Sequence, residues 1–197
     1  MAEPTDAAPA GDAEIALARR FAAGDDAAFE RIVSLHGPRL GKMAARLLGW
    51  NAADAQDALQ EAFVNAYLHR RGFLSESSLD TWLTRIVINV CRGIHRRRTV
   101  GLKALQSLFQ RSAPGADQAS AVDAAAAGEA VRAAVRRLPR AVREIVVLYY
   151  LEEMPLAHVA EILRISESAA NVRLHRARLQ LKQWLAEDFN PRGFDHE

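Results

Sequence analysis

Apolar residues in this chain recur at intervals of three and four, a spacing that suits helices and little else. After the polar start Gly24-Asp25-Asp26, the residues Phe29, Ile32, Val33 and Leu40 fall on one helical face. Met43, Leu47 and Leu48 continue that face past Gly37-Pro38. Asn51 and Asp54 offer caps for a second stretch carrying Ala55, Ala58, Leu59, Ala62, Phe63 and Ala66. A third carries Leu79, Trp82, Leu83, Ile86, Val87 and Val90. Alanine is abundant, only 7% of residues are aromatic, and long runs lack β-branched side chains. That mix favours short, closely packed helices over sheets, so the expected fold class is all-α.

The pattern breaks twice. Residues 1–12 are rich in Ala, Pro and acid, the composition of a disordered tail. The stretch SAPGADQASAVDAAAAG lacks large apolar residues and contains Pro114, Gly115 and Gly128, the composition of a flexible linker. Two small helical domains are therefore expected, 13–100 and 129–187, joined by a linker over 101–128 and followed by a tail at 188–197. In the second domain Val131, Val135 and Leu138 precede Pro139, and Val142, Ile145, Val146 and Tyr149 form the next stripe. After Pro155 come Leu156 to Leu163 and then, behind the N-cap candidate Ser166, a stripe of Ala170, Leu174, Ala177 and Leu181. Two short helices joined by about three residues match a helix-turn-helix.

Net charge is only +2, but its distribution is uneven. The first thirty residues hold Glu3, Asp6, Asp12, Glu14, Asp25, Asp26 and Glu30 against Arg19 and Arg20. Between Arg85 and Arg98 lie Arg92, Arg96, Arg97 and His95 with no acid, and a second basic run holds Arg173, His175, Arg176, Arg178 and Lys182. One such run is as easily a solvated helix face; two, each in a helical context, point to nucleic acid. On the last helix Glu167, Asn171, Arg178 and Lys182 turn away from the apolar stripe, with Arg173 and Arg176 beside it. Asn171 suits adenine, and Arg173 or Arg176 suits guanine or phosphate.

Other classes find little to stand on. The six histidines are scattered, with no cysteine or carboxylate at metal-ligand spacing. There is no phosphate-binding glycine loop and no nucleophile elbow, so no enzyme activity, metal, cofactor or small-molecule substrate is expected. The single cysteine, Cys91, excludes an internal disulfide and suits a packing role. No run is long and apolar enough for membrane insertion and no signal peptide is evident, so a cytoplasmic location is expected.

Three strings raise the specificity. Asp54-Ala-Gln-Asp57-Ala-Leu-Gln60-Glu61-Ala-Phe63 is followed about twenty residues later by Thr81-Trp82-Leu83-Thr84-Arg85-Ile86-Val87-Ile88-Asn89 with its tail Arg96-Arg97-Arg98. Ile165-Ser166-Glu167 then leads to Arg173-Leu174-His175-Arg176-Ala177-Arg178. In this order the chain resembles the extracytoplasmic-function (ECF) sigma factors of bacterial RNA polymerase, over roughly Ile15 to Arg98 and Val131 to Leu185. The resemblance implies that Asp57, Gln60 and Glu61 contact the core polymerase, chiefly its β′ clamp, with β as a further partner. It implies that Phe73, Ser75 and Ser77 form a pocket for a flipped base, and that Asn89, Arg92, Arg96 and Arg97 face the minus-ten strand. Glu167, Ser168, Asn171, Arg173, His175, Arg176 and Arg178 would meet the minus-thirty-five element of promoter DNA. An anti-sigma factor would hold the chain inactive.

The chain departs from the family at several points. Arg164 stands where glycine is common, Ser168-Ala169-Ala170 replaces the more usual Gly-Thr-Val, Asn171-Val172 replaces a basic-polar pair, and Tyr149 replaces a basic phosphate contact. Two other functions fit the same residues. A stand-alone helix-turn-helix regulator would bind duplex DNA as a dimer, yet no dimer-forming helix stands out. A sigma-like decoy would bind proteins only, and has no need of Asn89 and the arginines around it.

Overall fold

The computed structural model describes residues 10–73, 77–108 and 123–189, and all the regular structure among them is helical. Helix α1 spans Ala10–Ala23, α2 Asp26–Leu47, α3 Ala52–Leu68 and α4 Leu79–Leu108. Then follow α5 (Asp123–Arg137), α6 (Arg140–Val146), a π-helical turn Val147–Leu151, α7 (Leu156–Leu163) and α8 (Glu167–Phe189).

Local chemistry sets the boundaries. The Asp25 carboxylate accepts the Ala28 N–H at 3.1 Å to open α2, and Asn51 Oδ1 accepts the Asp54 N–H at 3.0 Å to open α3. Pro38 lies inside α2 and cannot donate to Ser34, yet its ring is exposed and the helix continues through it. Helices α2 and α3 approach closely at Gly41, where a Cβ would come within 3.3 Å of Leu59 Cδ2. Phe21, fully buried, stacks on Phe29 at 5.7 Å and meets the edge of Trp82 at 6.2 Å. Trp82 is thus packed between Phe21 and Phe73, as its place on the apolar stripe suggested.

In the C-terminal part, Pro139 and Pro155 stand in extended backbone immediately before α6 and α7. The turn between α7 and α8 passes through Arg164 at φ 56°, ψ 49°, a left-handed conformation in a residue with a side chain. Ser166 Oγ then accepts the Ala169 N–H at 3.1 Å, the expected cap of α8. Arg164→Gly is expected to stabilise the chain by about 1 kcal/mol, because glycine enters this region without steric cost. Thermal unfolding checks this; an unchanged or lowered midpoint would contradict it.

The linker expected over 101–128 is corrected at both ends. Helix α4 runs on to Leu108 and α5 begins at Asp123, while residues 109–122 lie outside the described set. Lys103-Ala104-Leu105-Gln106 and the alanines 124–127 are strong helix formers, and that propensity carries helix into both ends of the stretch. Helix α1 likewise begins at Ala10, inside the expected tail.

The two expected helical domains are present, and they pack against each other. Ile145, Val147, Leu148, Met154, Val159, Ile162, Leu163 and Leu174 join one continuous buried cluster with the cores of α1 to α4. Polar groups close the seam. The Glu152 side chain, 4% exposed, pairs with Arg46 at 2.6 Å and Arg39 at 3.5 Å. Arg46 also donates to the Leu151 carbonyl at 2.6 Å, Arg143 donates to the Leu47 carbonyl at 3.3 Å, and Thr81 Oγ1 lies 2.9 Å from His158 Nε2.

Candidate nucleic-acid interface

Helix α8 buries Ala170, Leu174 and Ala177 against α6 and α7, and the period of 3.6 then turns its other side outward. Glu167, Ser168, Asn171, His175, Arg176 and Arg178 are all exposed, and Arg173 is half-buried. The residues read from sequence as the minus-thirty-five set therefore share one outward surface beginning at the helix N-terminus. At its far end Arg178 Nε donates to the Tyr150 hydroxyl at 2.5 Å, which holds the guanidinium charge firmly. Tyr150, 43% exposed, went unnoticed in the sequence; the π-helical turn is what presents it, and no local pattern signals such a turn.

On α3, Asp57, Gln60 and Glu61 are exposed on one side of the helix. Beside them lies an apolar groove lined by Phe29, Val33, Phe63, Val64, Tyr67 and Leu68. Val64 and Leu68 are 57% and 66% exposed, a large outlay of apolar surface for a lone chain. Glu61 is not free: Arg97 Nη2 reaches its Oε2 at 3.0 Å, so one residue read as facing polymerase pairs with one read as facing DNA. Arg98 and Asp54 form a second pair between the same helices.

On α4, Asn89 is exposed and Arg96 and Arg97 extend into solvent, whereas Arg92 does not. Its Nε and Nη2 donate to the two oxygens of Glu144 on α6 at 3.0 and 2.7 Å, a two-pronged ion pair. Hydrogen bonding to Glu144 raises the Arg92 pKa above its usual value. Glu144 is 7% exposed and takes a third hydrogen bond from Arg140 at 3.2 Å. Arg85 pairs with Glu161 of α7 at 2.8 Å. Asn89 therefore sits at the rim of a polar cleft whose other side is Ile162, Leu163 and Arg164. Neighbouring Cys91 is buried, and burial, followed by the charge of Glu144, pushes its thiol up to about 12, which leaves it unreactive.

Of the base-pocket residues, Phe73 rests edge-on against Trp82 at 5.5 Å. Phe73 and Ser77 line a concavity with Glu14, Ile15, Ala18 and Arg19 of α1, a contribution the sequence did not suggest. Ser75 lies outside the described residues. At the start of α4, burial pushes the Asp80 carboxyl up, but the His36 hydrogen bond and the Arg39 charge outweigh it and hold the group below its ordinary value.

Known proteins share this arrangement. The families described as Sigma-70 region 2 and Sigma-70, region 4 match residues 32–100 and 128–181. The ECF RNA polymerase sigma factor SigW of Bacillus subtilis is 30% identical over 173 residues, spanning 83% of this chain and 92% of its own length. The RNA polymerase sigma factor CnrH of Cupriavidus metallidurans is 32% identical over 189 residues, 90% of this chain and 96% of its own. The solved structure of CnrH in complex with the cytosolic domain of CnrY superposes with a TM-score of 0.66 at 29% identity, covering 90% of this chain and 99% of that one.

Proposed function

The chain belongs to the ECF RNA polymerase sigma factors, and on that premise we propose that it carries bacterial core polymerase to particular promoters and helps to open the duplex there. The observation that carries the promoter role is α8. Behind a left-handed turn and a serine cap, it offers Glu167, Ser168, Asn171, Arg173, His175 and Arg176 beyond a fully buried opposite face. That is the geometry by which a helix enters the major groove, with its N-terminal residues over base edges and its arginines toward phosphate. Asn89, Arg92, Arg96 and Arg97 of α4 track the opened minus-ten strand, and Phe73, Ser75 and Ser77 border the flipped base.

Asp57, Gln60 and Glu61, next to the exposed apolar groove, form the docking face for the β′ clamp. Acid and amide groups give orientation, and the apolar side chains supply area to be desolvated. The chemistry of RNA synthesis stays with the polymerase, and the chain is a regulatory subunit that works in the cytoplasm. CnrH is solved with CnrY bound, and by that likeness an anti-sigma factor restrains this chain.

Gln60→Ala combined with Glu61→Ala is expected to weaken binding to core polymerase about tenfold, the loss of one or two hydrogen bonds to charged groups. Circular dichroism should stay unchanged and the melting midpoint should move little, since both side chains are exposed and the Glu61–Arg97 ion pair that is lost lies at the surface. Unaltered affinity in a pull-down titration would remove the clamp assignment.

A further inference from the structure

The outward surface of α8 is polar near its start, with one exception. At about 100° per residue, Val172 falls almost opposite the buried stripe of Ala170, Leu174 and Ala177. It is 48% exposed, while Ser168, Asn171, His175 and Arg176 around it are exposed and polar. Folding gives no reason for a valine there. Its β-branched side chain lowers helix propensity, and it belongs to neither buried cluster. Leu179 is also exposed on this side, but it lies two turns further along, beyond the half of the helix that reaches base edges.

We propose that Val172 is a specificity-determining residue, which reads the C5-methyl group of a thymine in the minus-thirty-five element. This inference rests on the entry of α8 into the major groove proposed above. Base edges present donors, acceptors and the thymine methyl there, and of these the methyl alone is apolar. A valine set against an amino group or a carbonyl would strip it of water and offer no hydrogen bond in return. Against a methyl, both surfaces leave water together, and one buried methyl group corresponds to about fourfold in affinity. Cytosine presents an N4 amino group and no methyl, so the valine favours thymine over cytosine at its position. Asn171 and Arg176 beside it hold the helix in register through polar contacts while Val172 selects.

The test uses holoenzyme reconstituted from the full chain and core polymerase, on a labelled duplex from a promoter at which it initiates. Each thymine of the minus-thirty-five element, on either strand, is replaced in turn by uracil, which pairs identically and lacks only the methyl. Affinity is read by fluorescence anisotropy for the parent and for Val172→Ala. That substitution places a stronger helix former at an exposed site, so folding is kept. With the parent, uracil at one or two adjacent positions is expected to weaken binding about fourfold. Val172→Ala is expected to bind the thymine duplex more weakly by a similar factor and to lose the uracil penalty at those positions. The two changes together then cost no more than either alone. Elsewhere, any cost of uracil is expected to be equal for the two proteins.

Arg176→Ala on the same duplex judges the minus-thirty-five role itself. Weaker binding by Arg176→Ala, with the cost of uracil equal in the parent and Val172→Ala at every position, overturns the role of the valine and leaves that reading standing. An element with no thymine on either strand overturns it as well. Full affinity with Arg176→Ala, and no position sensitive to the methyl, removes both.

Discussion

Leu148→Ala is expected to lower the free energy of unfolding by about 3–4 kcal/mol and to leave a single melting transition. Leu148 is fully buried in the π-helical turn, within the cluster that joins the C-terminal part to α1 to α4. Truncating a leucine in such a site loses its transfer free energy and leaves a cavity, together about 2–5 kcal/mol. The local backbone is in use as well, since the Leu148 carbonyl accepts the Met154 N–H at 3.1 Å and cannot readily shift inward to fill the space. Because Leu148 belongs to the cluster shared by both parts, beside a smaller one of Val135, Leu138, Val146 and Ala177, calorimetry should find the parts melting together in the parent, with the variant lowering that one midpoint. Two transitions, only the second of them moved by Leu148→Ala, would mean that the parts fold independently and that the seam adds little.

The second large effect concerns α8. Asn171→Ala with Arg176→Ala is expected to cost the holoenzyme roughly 2–4 kcal/mol at its promoters, about 30-fold to 1000-fold in affinity. Both residues are exposed on the N-terminal half of the helix, so the loss falls on DNA contact rather than on folding. A bidentate contact to a base contributes about 1–3 kcal/mol, and an arginine on phosphate adds a salt-dependent share. Binding measured over a series of salt concentrations separates the two. The slope of log affinity against log salt should fall by about one if Arg176 neutralises a phosphate. An unchanged slope and full affinity would show that this side of α8 does not meet the duplex.

The helices and the helix-turn-helix were legible because their signals are local. Caps such as Asn51 and Ser166 sit within three residues of the N–H they accept, and stripes such as Ala170, Leu174 and Ala177 repeat at the helical period. Arg164 was identified as a turn without glycine, and its left-handed backbone is the physical outcome. The seam was not legible. Glu144 pairs with Arg92 across 52 positions and Glu152 with Arg46 across 106, and no periodicity spans such distances. A carboxylate in the middle of the apolar stretch Val142 to Leu148 was the one available sign, for a charge on a buried stripe requires a partner. The family resemblance assigns Arg92 to the minus-ten strand, and the sequence does not say what a cation holds before DNA arrives. Helix α1 was overlooked for a related reason. Its acids suggested solvent, while Ala18 and Phe21, three apart, already marked the face that packs on α2 and α4.

The central claim is that this chain gives polymerase its promoter choice, and transcription tests it most directly. Purified chain is added to core polymerase free of other sigma factors, and run-off products are mapped across a library of genomic promoters. Initiation at a discrete set of start sites, absent with core alone, is the expected result, and the shared sequences upstream would reveal both promoter elements. No binding to polymerase and no new start sites would contradict the account. Duplex binding without polymerase would then indicate a stand-alone regulator, and its absence a decoy that binds only proteins.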